Sequence, residues 1–318
     1  MINGTEANIQ TTAPGMKYWG GFFDELLSVD IAREVRRTKG QSKNTPPENI
    51  YFKPRVMIFD NRPSLSELVH SNFGGTVVQR QRVLWGTECN SNEWMLKKSS
   101  DIRDFLLLVE PQLHFKRPLV QKLLEYLQSK LQRIAEEKVV GAGNVMSKEE
   151  RIEEESGFYE ELKELKRGTS HEPFRFDAED LAGRIDAVGS MQLRRSERPE
   201  RKAIGYEYGV RASLYSPHLD LLKFLEDKFG GYLALGEVKN SKGVYNQSYW
   251  DAGDSAAIGL IKEVFPYLIL NRSLAEVILN FQAARSSLDL RKVTSGAEDK
   301  GLLELNKLGF YLRTEPFR

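Results

Sequence analysis

The chemistry open to this sequence depends first on acidic side chains that recur at matching places in two similar segments, Trp19–Ser28 and Leu181–Ser190. Aligned end to end, the segments place Asp24 on Asp186, whereas Glu25 has an alanine as its counterpart. Carboxylates bind the divalent cations that assist hydrolytic reactions. Because the second segment offers no partner for Glu25, a symmetric pair of metal sites has no obvious second set of ligands.

Thiol and imidazole chemistry has little support in the sequence. Cys89 is the single cysteine, so an intrachain disulfide is impossible and a reducing compartment is compatible with the composition. The histidines are scattered without the spacing of metal ligands, and we interpret them as ordinary structural or surface residues. They are His70, His114, His171 and His218.

The composition is that of a globular protein with room for two domains. The chain has 318 residues, of which 40% are hydrophobic and 29% charged. No apolar run approaches the ~20 residues that a membrane span needs, and the polar N-terminus lacks a signal-peptide core. We therefore expect a protein of the cytoplasm, or of the interior of an organelle that encodes it, and not a secreted one. The net charge of +1 is low for a nucleic-acid-binding protein, unless the positive charge is gathered on one face.

The segment Leu181–Gly189 resembles the signature helix of the LAGLIDADG homing endonucleases. In that family, as the resemblance implies, the eighth motif position carries an acid that holds divalent metal ions against the scissile phosphates. Here that position is Val188, and its counterpart in the first segment is Leu26. Asp24 and Asp186 lie two residues earlier, which turns them by about 200° around a helix, towards the opposite face. The resemblance predicts the family fold, and the two apolar residues argue against cleavage.

Similarity between the two halves extends beyond the motif segments. A Phe-Gly-Gly sequence follows each motif, at residues 73–75 and 229–231, where glycine after an apolar run predicts a helix end. Later in each half a proline, Pro111 or Pro266, separates two amphipathic stretches that we predict to be helices. Three landmarks in the same order indicate an internal duplication.

Strand-like stretches between these landmarks complete the predicted fold. Polar and apolar residues alternate through residues 191–196 and 209–214, and Tyr232–Val238 and Val244–Trp250 are predicted to form a later hairpin. We predict an α+β protein of two pseudo-twofold-related LAGLIDADG-type αββαββα units, with helices on one face of a saddle-shaped antiparallel sheet. The predicted boundaries are a polar N-terminal extension at 1–15, repeat 1 at 16–140, a charged linker at 141–172, repeat 2 at 173–290 and a C-terminal tail at 291–318. Within the linker we predict a solvated helix over Met146–Gly168.

Small residues in the motif segments predict that the two motif helices pack closely on the pseudo-twofold axis. Glycine costs about 1 kcal/mol in a helix interior, and close approach of two helices explains why it is tolerated there. The residues predicted at this contact are Gly20, Gly21, Ala182 and Gly183.

The open face of the sheet is the predicted nucleic-acid surface, because the resemblance places that face in the DNA major groove. Polar and basic residues on the strands are the candidates, together with basic loop residues that could reach phosphates. They are Lys53, Arg55, Gln79, Arg80, Gln81 and Arg82 in repeat 1, and Gln192, Arg194, Ser196, Arg198, Arg201, Lys202, Arg211 and Ser213 in repeat 2. Asp30 and Glu34 share the predicted open face of the first strand and would repel phosphate, so repeat 1 looks less suited to DNA than repeat 2.

Three functions follow from the resemblance. The first is a cleavage-deficient protein that binds double-stranded DNA at a specific site or, like the family's maturases, assists the folding of structured intron RNA. The second is an active homing endonuclease that uses Mg²⁺ and the displaced carboxylates Asp24, Glu25 and Asp186. The third is a structural role, in which the sheet surface binds protein or ribonucleoprotein, in keeping with the low net charge. We expect a monomer, and no cofactor other than Mg²⁺ if cleavage is retained.

Overall fold

The two predicted repeats have helices and strands in the same order, except that the second strand pair of repeat 1 corresponds to four short strands in repeat 2. The computed structural model describes residues 14–36, 49–84, 87–140, 146–166, 176–197, 206–240, 243–246, 248–287 and 303–310. In repeat 1 the elements are α1 Met16–Leu26, β1 Ser28–Arg36, β2 Asn49–Asp60, α2 Pro63–Phe73, β3 Thr76–Leu84, β4 Thr87–Leu96, α3 Ser99–Val109 and α4 Arg117–Val140, with a 3-10 turn Glu110–Gln112 before α4. Helix α5 Lys148–Leu165 follows repeat 1.

In repeat 2 the elements are α6 Ala178–Val188, β5 Gly189–Glu197, β6 Tyr206–Tyr215, α7 Leu219–Phe229, β7 Tyr232–Ala234, β8 Glu237–Asn240, β9 Gly243–Asn246, β10 Tyr249–Gly253, α8 Asp254–Val264 and α9 Arg272–Ser287, with a 3-10 turn Phe265–Tyr267 before α9. A further helix covers residues 303–310. Within the described ranges, no helix is long and apolar enough to cross a membrane.

Each repeat has its own four-stranded antiparallel sheet, and the strand orders β1-β2-β4-β3 and β5-β6-β10-β7 are equivalent. The register fixes the equivalence, because Ile58 lies opposite Trp94 in repeat 1 as Leu214 lies opposite Trp250 in repeat 2. Buried and more exposed side chains alternate along the strands, so helices cover one face of each sheet and the other face is open. The predicted α+β class, with helices on one side of antiparallel sheet, is confirmed.

The Phe-Gly-Gly landmarks end helices as predicted. Gly74 and Gly230 follow α2 and α7 directly and have φ angles of 66° and 79°, in the left-handed region that favours glycine. Their carbonyl oxygens accept hydrogen bonds from the indole nitrogens of Trp94, at 2.7 Å, and Trp250, at 2.8 Å. Each tryptophan therefore ties a helix end to an inner strand of its sheet.

The charged segment after repeat 1 is helical as predicted, but the prediction that it is solvated is wrong. Helix α5 packs against α4 and against the first two strands of repeat 1. An ion pair of 2.7 Å joins Arg133 Nη1 on α4 to Glu154 Oε2 on α5. The high density of Glu and Lys obscures a helical spacing of apolar residues that contact the core. These residues are Ile152, Phe158, Tyr159 and Leu162.

The last hairpin of repeat 2 differs from the prediction of two long strands, Tyr232–Val238 and Val244–Trp250. The chain forms four short strands there, of which β7 and β10 join the main sheet while β8 and β9 form a separate two-stranded sheet. The backbone leaves the first strand at residues 235–236, and the second of these is a glycine. Glycine within a strand pattern commonly marks such a bend, which periodicity alone does not detect.

Helices α1 and α6 cross where the repeats meet, and glycine allows their backbones to approach. A Cβ atom on Gly183 would lie 2.0 Å from the backbone oxygen of Tyr18. A Cβ atom on Gly21 would lie 2.1 Å from the backbone oxygen of Asp180. Both distances are far inside van der Waals contact, so the crossing requires glycine at these two positions.

The other two predicted contact residues have different roles. A Cβ atom on Gly20 would meet the backbone oxygen of Gln112 at 2.4 Å, so this glycine faces the 3-10 turn of its own repeat and not the other motif helix. Ala182 is completely buried, on a helix that packs against the equivalent turn Phe265–Tyr267. Adjacent residues on a helix point about 100° apart, which is why one glycine of the pair faces the partner helix and the other does not.

Replacing Gly183 with alanine should destabilise the protein by about 1–3 kcal/mol, because the new methyl group overlaps a backbone carbonyl group across the helix crossing. Urea unfolding followed by circular dichroism measures the change. Gly157 is the matched control, since it is exposed in α5 and a Cβ atom there would meet nothing within 4 Å. Its replacement with alanine should stabilise the protein by up to about 1 kcal/mol. Similar effects of the two substitutions would contradict the role assigned to the crossing.

Candidate functional site

The last residues of the two motif helices are apolar. Helix α1 ends at Leu26 and α6 at Val188, and both side chains are partly buried against the core. A carboxylate at either position would face the negative end of a helix dipole, so an apolar residue avoids an electrostatic cost. Neither side chain can bind a cation, and among the described residues no group of three or more His, Cys, Asp and Glu is placed to hold a metal ion. The residues at the helix ends therefore do not fit a divalent metal site.

The paired aspartates of the motif, Asp24 and Asp186, bind backbone amides. Asp24 accepts hydrogen bonds of 2.8, 3.1 and 2.9 Å from the N–H groups of residues 114–116. Asp186 accepts bonds of 2.7, 3.0 and 2.8 Å from those of residues 269–271. These segments occupy equivalent places, between α3 and α4 and between α8 and α9. The two aspartates therefore anchor the same turn in each repeat, which occupies the carboxylates that we considered as substitute metal ligands.

A buried guanidinium group lies between the two motif helices, and the sequence analysis missed it. Arg184 is completely buried and contacts three carboxylates, two of them on the other helix. The bonds measure 2.9 Å to Asp24 Oδ2, 2.7 Å to Glu25 Oε1 and 2.9 Å to Asp180 Oδ2. The Cζ atom also lies 5.0 and 5.3 Å from the centres of two phenylalanine rings. The spacing of Asp180 and Arg184, four residues apart on one helix face, was the signal available in the sequence.

Burial and this shared guanidinium group set the protonation of the cluster. Burial opposes the charge on Arg184, but the three carboxylates outweigh it and raise the pKa of the guanidinium. Burial also opposes the charge on Asp24, but Arg184 and the backbone amides hold the pKa of this carboxyl below its ordinary value. Burial raises the pKa of Glu25 and of Asp180. Burial lowers the pKa of the neighbouring Lys116 to about 8.

Connecting segments from each repeat reach the end of the opposite motif helix. Arg62, which follows β2, donates from Nη1 to the backbone oxygen of Asp186 at 3.0 Å and from Nη2 to that of Ala187 at 2.5 Å. In repeat 2, Ser216 follows β6 and its hydroxyl donates to Glu25 Oε2 at 3.2 Å. A cation at a helix C-terminus satisfies carbonyl groups that have no partner within the helix. Intramolecular contacts therefore surround the positions where the family resemblance implies metal-binding acids.

The strand residues predicted for repeat 2 lie on its open face. The register places Gln192 opposite Arg211. The preceding residue, Met191, is buried on the helix side. Arg194 and Ser196 are exposed and, with Arg211, line a cavity of about 220 Å³. Ser213 has the same register, opposite Ser190, but it is buried. The loop residues that we predicted beside them lie outside the described residues, and they are Arg198, Arg201 and Lys202.

The basic residues predicted for repeat 1 lie on its open face beside carboxylates. Lys53 Nζ is 2.7 Å from Glu34 Oε2, and Arg55 Nη2 is 3.6 Å from Glu34 Oε1. Arg80 Nε is 3.0 Å from Oε2 of the buried Glu93. Each of these three cations therefore has an anionic partner within the sheet.

Gln79 and Gln81 do not share the open face with Arg80. The register pairs them with Asn92 and Asn90. They therefore belong to the face of the strand that carries Val77, which pairs with the core residue Trp94. Arg82 follows two residues after Arg80 in the same register with β4. One residue along a strand reverses the face, so four consecutive residues cannot form one surface as we predicted.

Comparison with known proteins gives matches among solved structures, whereas no family model and no curated protein matches the sequence. The LAGLIDADG homing endonuclease I-GzeII, in complex with its DNA target, is 14% identical with a TM-score of 0.61, over 93% of this chain and 98% of the other. The meganuclease I-SmaMI, bound to uncleavable DNA, is 15% identical with a TM-score of 0.58, over 92% of this chain and 97% of the other. At this identity the matches show the fold, so the chain has the two-repeat LAGLIDADG fold that the motif predicts.

Replacing Arg184 with methionine should destabilise the protein by about 3–5 kcal/mol, because three buried carboxylates lose their counter-charge. Loss of the guanidinium charge raises the folded-state pKa values of all three carboxyls, those of Glu25 and Asp180 beyond the increase that burial already causes, so the folded variant binds more protons than the unfolded chain. Its stability therefore falls with rising pH, and its deficit against the wild type should shrink between about pH 7 and about pH 5.

Urea unfolding at several pH values measures this deficit. Arg103 is the matched control, because it forms an exposed ion pair with Asp104, and its replacement with methionine should cost less than about 1 kcal/mol at each pH. A deficit of the Arg184 variant that does not change with pH would contradict the electrostatic role of the guanidinium group.

Proposed function

We propose that this protein uses its LAGLIDADG fold to recognise double-stranded DNA without cleaving it. The observation that carries the proposal is the pair of apolar motif helix ends, Leu26 and Val188, at the positions where the family resemblance implies metal-binding acids. The fold supports DNA binding, since I-GzeII and I-SmaMI, which share it, are homing endonucleases in complexes with DNA. Loss of the two acids removes cleavage chemistry and leaves the binding surface in place.

The chemistry of the repeat 2 face supports contact with base edges. The major groove, about 12 Å wide, admits a two-stranded β-ribbon and presents a distinct pattern of donors and acceptors for each base pair. Gln192 and Arg194 on β5 match this pattern, because amides pair with adenine and guanidinium groups pair with guanine. Ser213 on β6 has the same register, but it is buried and is not counted among these contacts.

Cleavage by displaced carboxylates, the alternative to this proposal, has less support. Asp24 and Asp186 anchor backbone turns, and Glu25 is bonded to Arg184 and Ser216. Moving one of these carboxylates to a metal ion would leave buried donors unsatisfied, at about 1–3 kcal/mol for each group. The present arrangement therefore favours binding over catalysis.

Binding of protein or ribonucleoprotein by repeat 1 is a second candidate function. It is favoured by the ion pairs of Lys53, Arg55 and Arg80, which offset positive charge on that face. Structured intron RNA is a further candidate ligand, as for a maturase encoded within an intron. We also propose that the protein is a monomer, with its functional halves at residues 16–140 and 173–290.

The 318-residue chain should bind and enrich specific duplexes from a random-sequence DNA library. It should leave the enriched duplexes uncut in the presence of Mg²⁺ or Mn²⁺. Gel-shift and cleavage assays measure the two properties, with I-SmaMI on its own target as the positive control for cutting. In competition for the labelled duplex, an excess of structured intron RNA should displace less protein than an equal mass of unlabelled enriched duplex. Metal-dependent cutting would contradict the loss of catalysis, and absence of any DNA shift would contradict DNA binding.

A further inference from the structure

We infer that DNA recognition is one-sided. The open face of repeat 2 contacts the base edges, whereas the side chains on the open face of repeat 1 disfavour contact with DNA. The inference rests on the proposed DNA binding and states which half of the surface makes the contacts. The pseudo-twofold relation allows the two open faces to be compared position by position, because Trp94 and Trp250 occupy equivalent places in the register.

The first strands of the two sheets differ in charge. Counting from the equivalent residues Ser28 and Ser190, every second residue lies on the open face. In order, these residues are Asp30, Ala32 and Glu34 in repeat 1, and Gln192, Arg194 and Ser196 in repeat 2. Repeat 1 thus has two carboxylates where repeat 2 has an amide and a hydroxyl group, and an alanine where repeat 2 has an arginine. Carboxylates on this strand repel phosphate, whereas the guanidinium group attracts it.

The cations nearest to the first strand of repeat 1 do not remove this difference, because they are engaged with the same carboxylates. Lys53 and Arg55 both face Glu34, at 2.7 and 3.6 Å. Lys166, at the end of α5, reaches Asp30 with an Nζ–Oδ1 distance of 2.8 Å. A cation that turned towards a phosphate would leave its carboxylate facing the same phosphate, so the net attraction would be small.

The inner strands extend the contrast from charge to hydrogen bonding. Met57 and Phe59 on β2 and Met95 on β4 share the open face of repeat 1. The equivalent residues in repeat 2 are Ser213, Tyr215 and Asp251. Thioether and phenyl groups contact the thymine methyl group but cannot pair with the donors and acceptors of base edges, whereas the hydroxyl group of the exposed Tyr215 can. Because Arg211 is engaged with Asp251, we expect Arg194 to contribute most to binding.

The length of the recognised sequence separates one-sided from two-sided binding. Strands β1 and β5 each have nine residues, and at ~3.3 Å per residue each spans about 30 Å. That length corresponds to about nine base pairs at ~3.4 Å per base pair. Selection from random duplexes should therefore give base preference over about nine contiguous base pairs, and two-sided binding would give about twice that length.

Matched double substitutions in the two repeats test the inference on one enriched duplex. Gln192→Ala with Arg194→Ala should weaken binding at least about 10-fold, because both groups contact base edges. Lys53→Ala with Arg55→Ala removes two cations and should change the dissociation constant less than about 3-fold, because both are paired. Thermal unfolding of each variant checks that the fold is retained.

A graft between equivalent positions tests the same inference by gain of binding. Asp30→Gln with Glu34→Ser gives repeat 1 the residues of repeat 2 and releases three cations, so it should strengthen binding at least about 3-fold at low salt. A graft without gain, equal losses from the two alanine pairs, or equal base preference in both halves would overturn the inference and leave DNA binding intact. Failure of the wild type to bind any duplex would overturn the proposed function as well.

Discussion

The architecture depends on the close approach of two helix backbones, α1 and α6. Gly21 and Gly183 remove the side chains that would hold these helices apart. At this separation Arg184 on one helix reaches the carboxylates of Asp24 and Glu25 on the other, so an ion cluster completes the contact that the glycines permit. The cluster is favourable only while all its members are present, since a buried charge without its partner is costly. The relative position of the two sheets, and hence of their two open faces, follows from this crossing.

Different positions of the nine-residue motif have different structural tasks. Its sixth residue, Asp24 or Asp186, anchors a turn of its own repeat by three backbone hydrogen bonds. Its third residue, Gly21 or Gly183, sets the helix distance. The eighth position contributes to neither task, because Leu26 and Val188 sit at the helix ends beyond both contacts. An apolar residue there is compatible with the fold, and under the proposed function it leaves out the carboxylate that metal binding would need.

Sequence reasoning predicted what local patterns determine. Period-two alternation on β5 and β6, glycine after the apolar helices and the order of the duplicated landmarks gave the α+β fold and the open-face residues of repeat 2. Features that depend on a tertiary partner escaped it. Arg184 reads as an exposed charge until the other motif helix is placed beside it, and Leu162 is buried only because α4 and the sheet lie next to α5. The division of Gln79 and Arg80 between two faces required the register itself.

The two faces of each sheet are under different physical constraints. On the helix side of the first strands the buried equivalent residues are apolar in both repeats, as with Val29 and Met191, because a polar group buried there without a partner would be costly. On the open side exposed ion pairs contribute only about 0–1 kcal/mol to folding, so its charges are nearly free to vary without loss of stability. Folding therefore does not account for Glu34 on one first strand and Ser196 on the other. A difference that folding leaves undetermined is where unequal binding by the two halves can arise on a symmetric backbone.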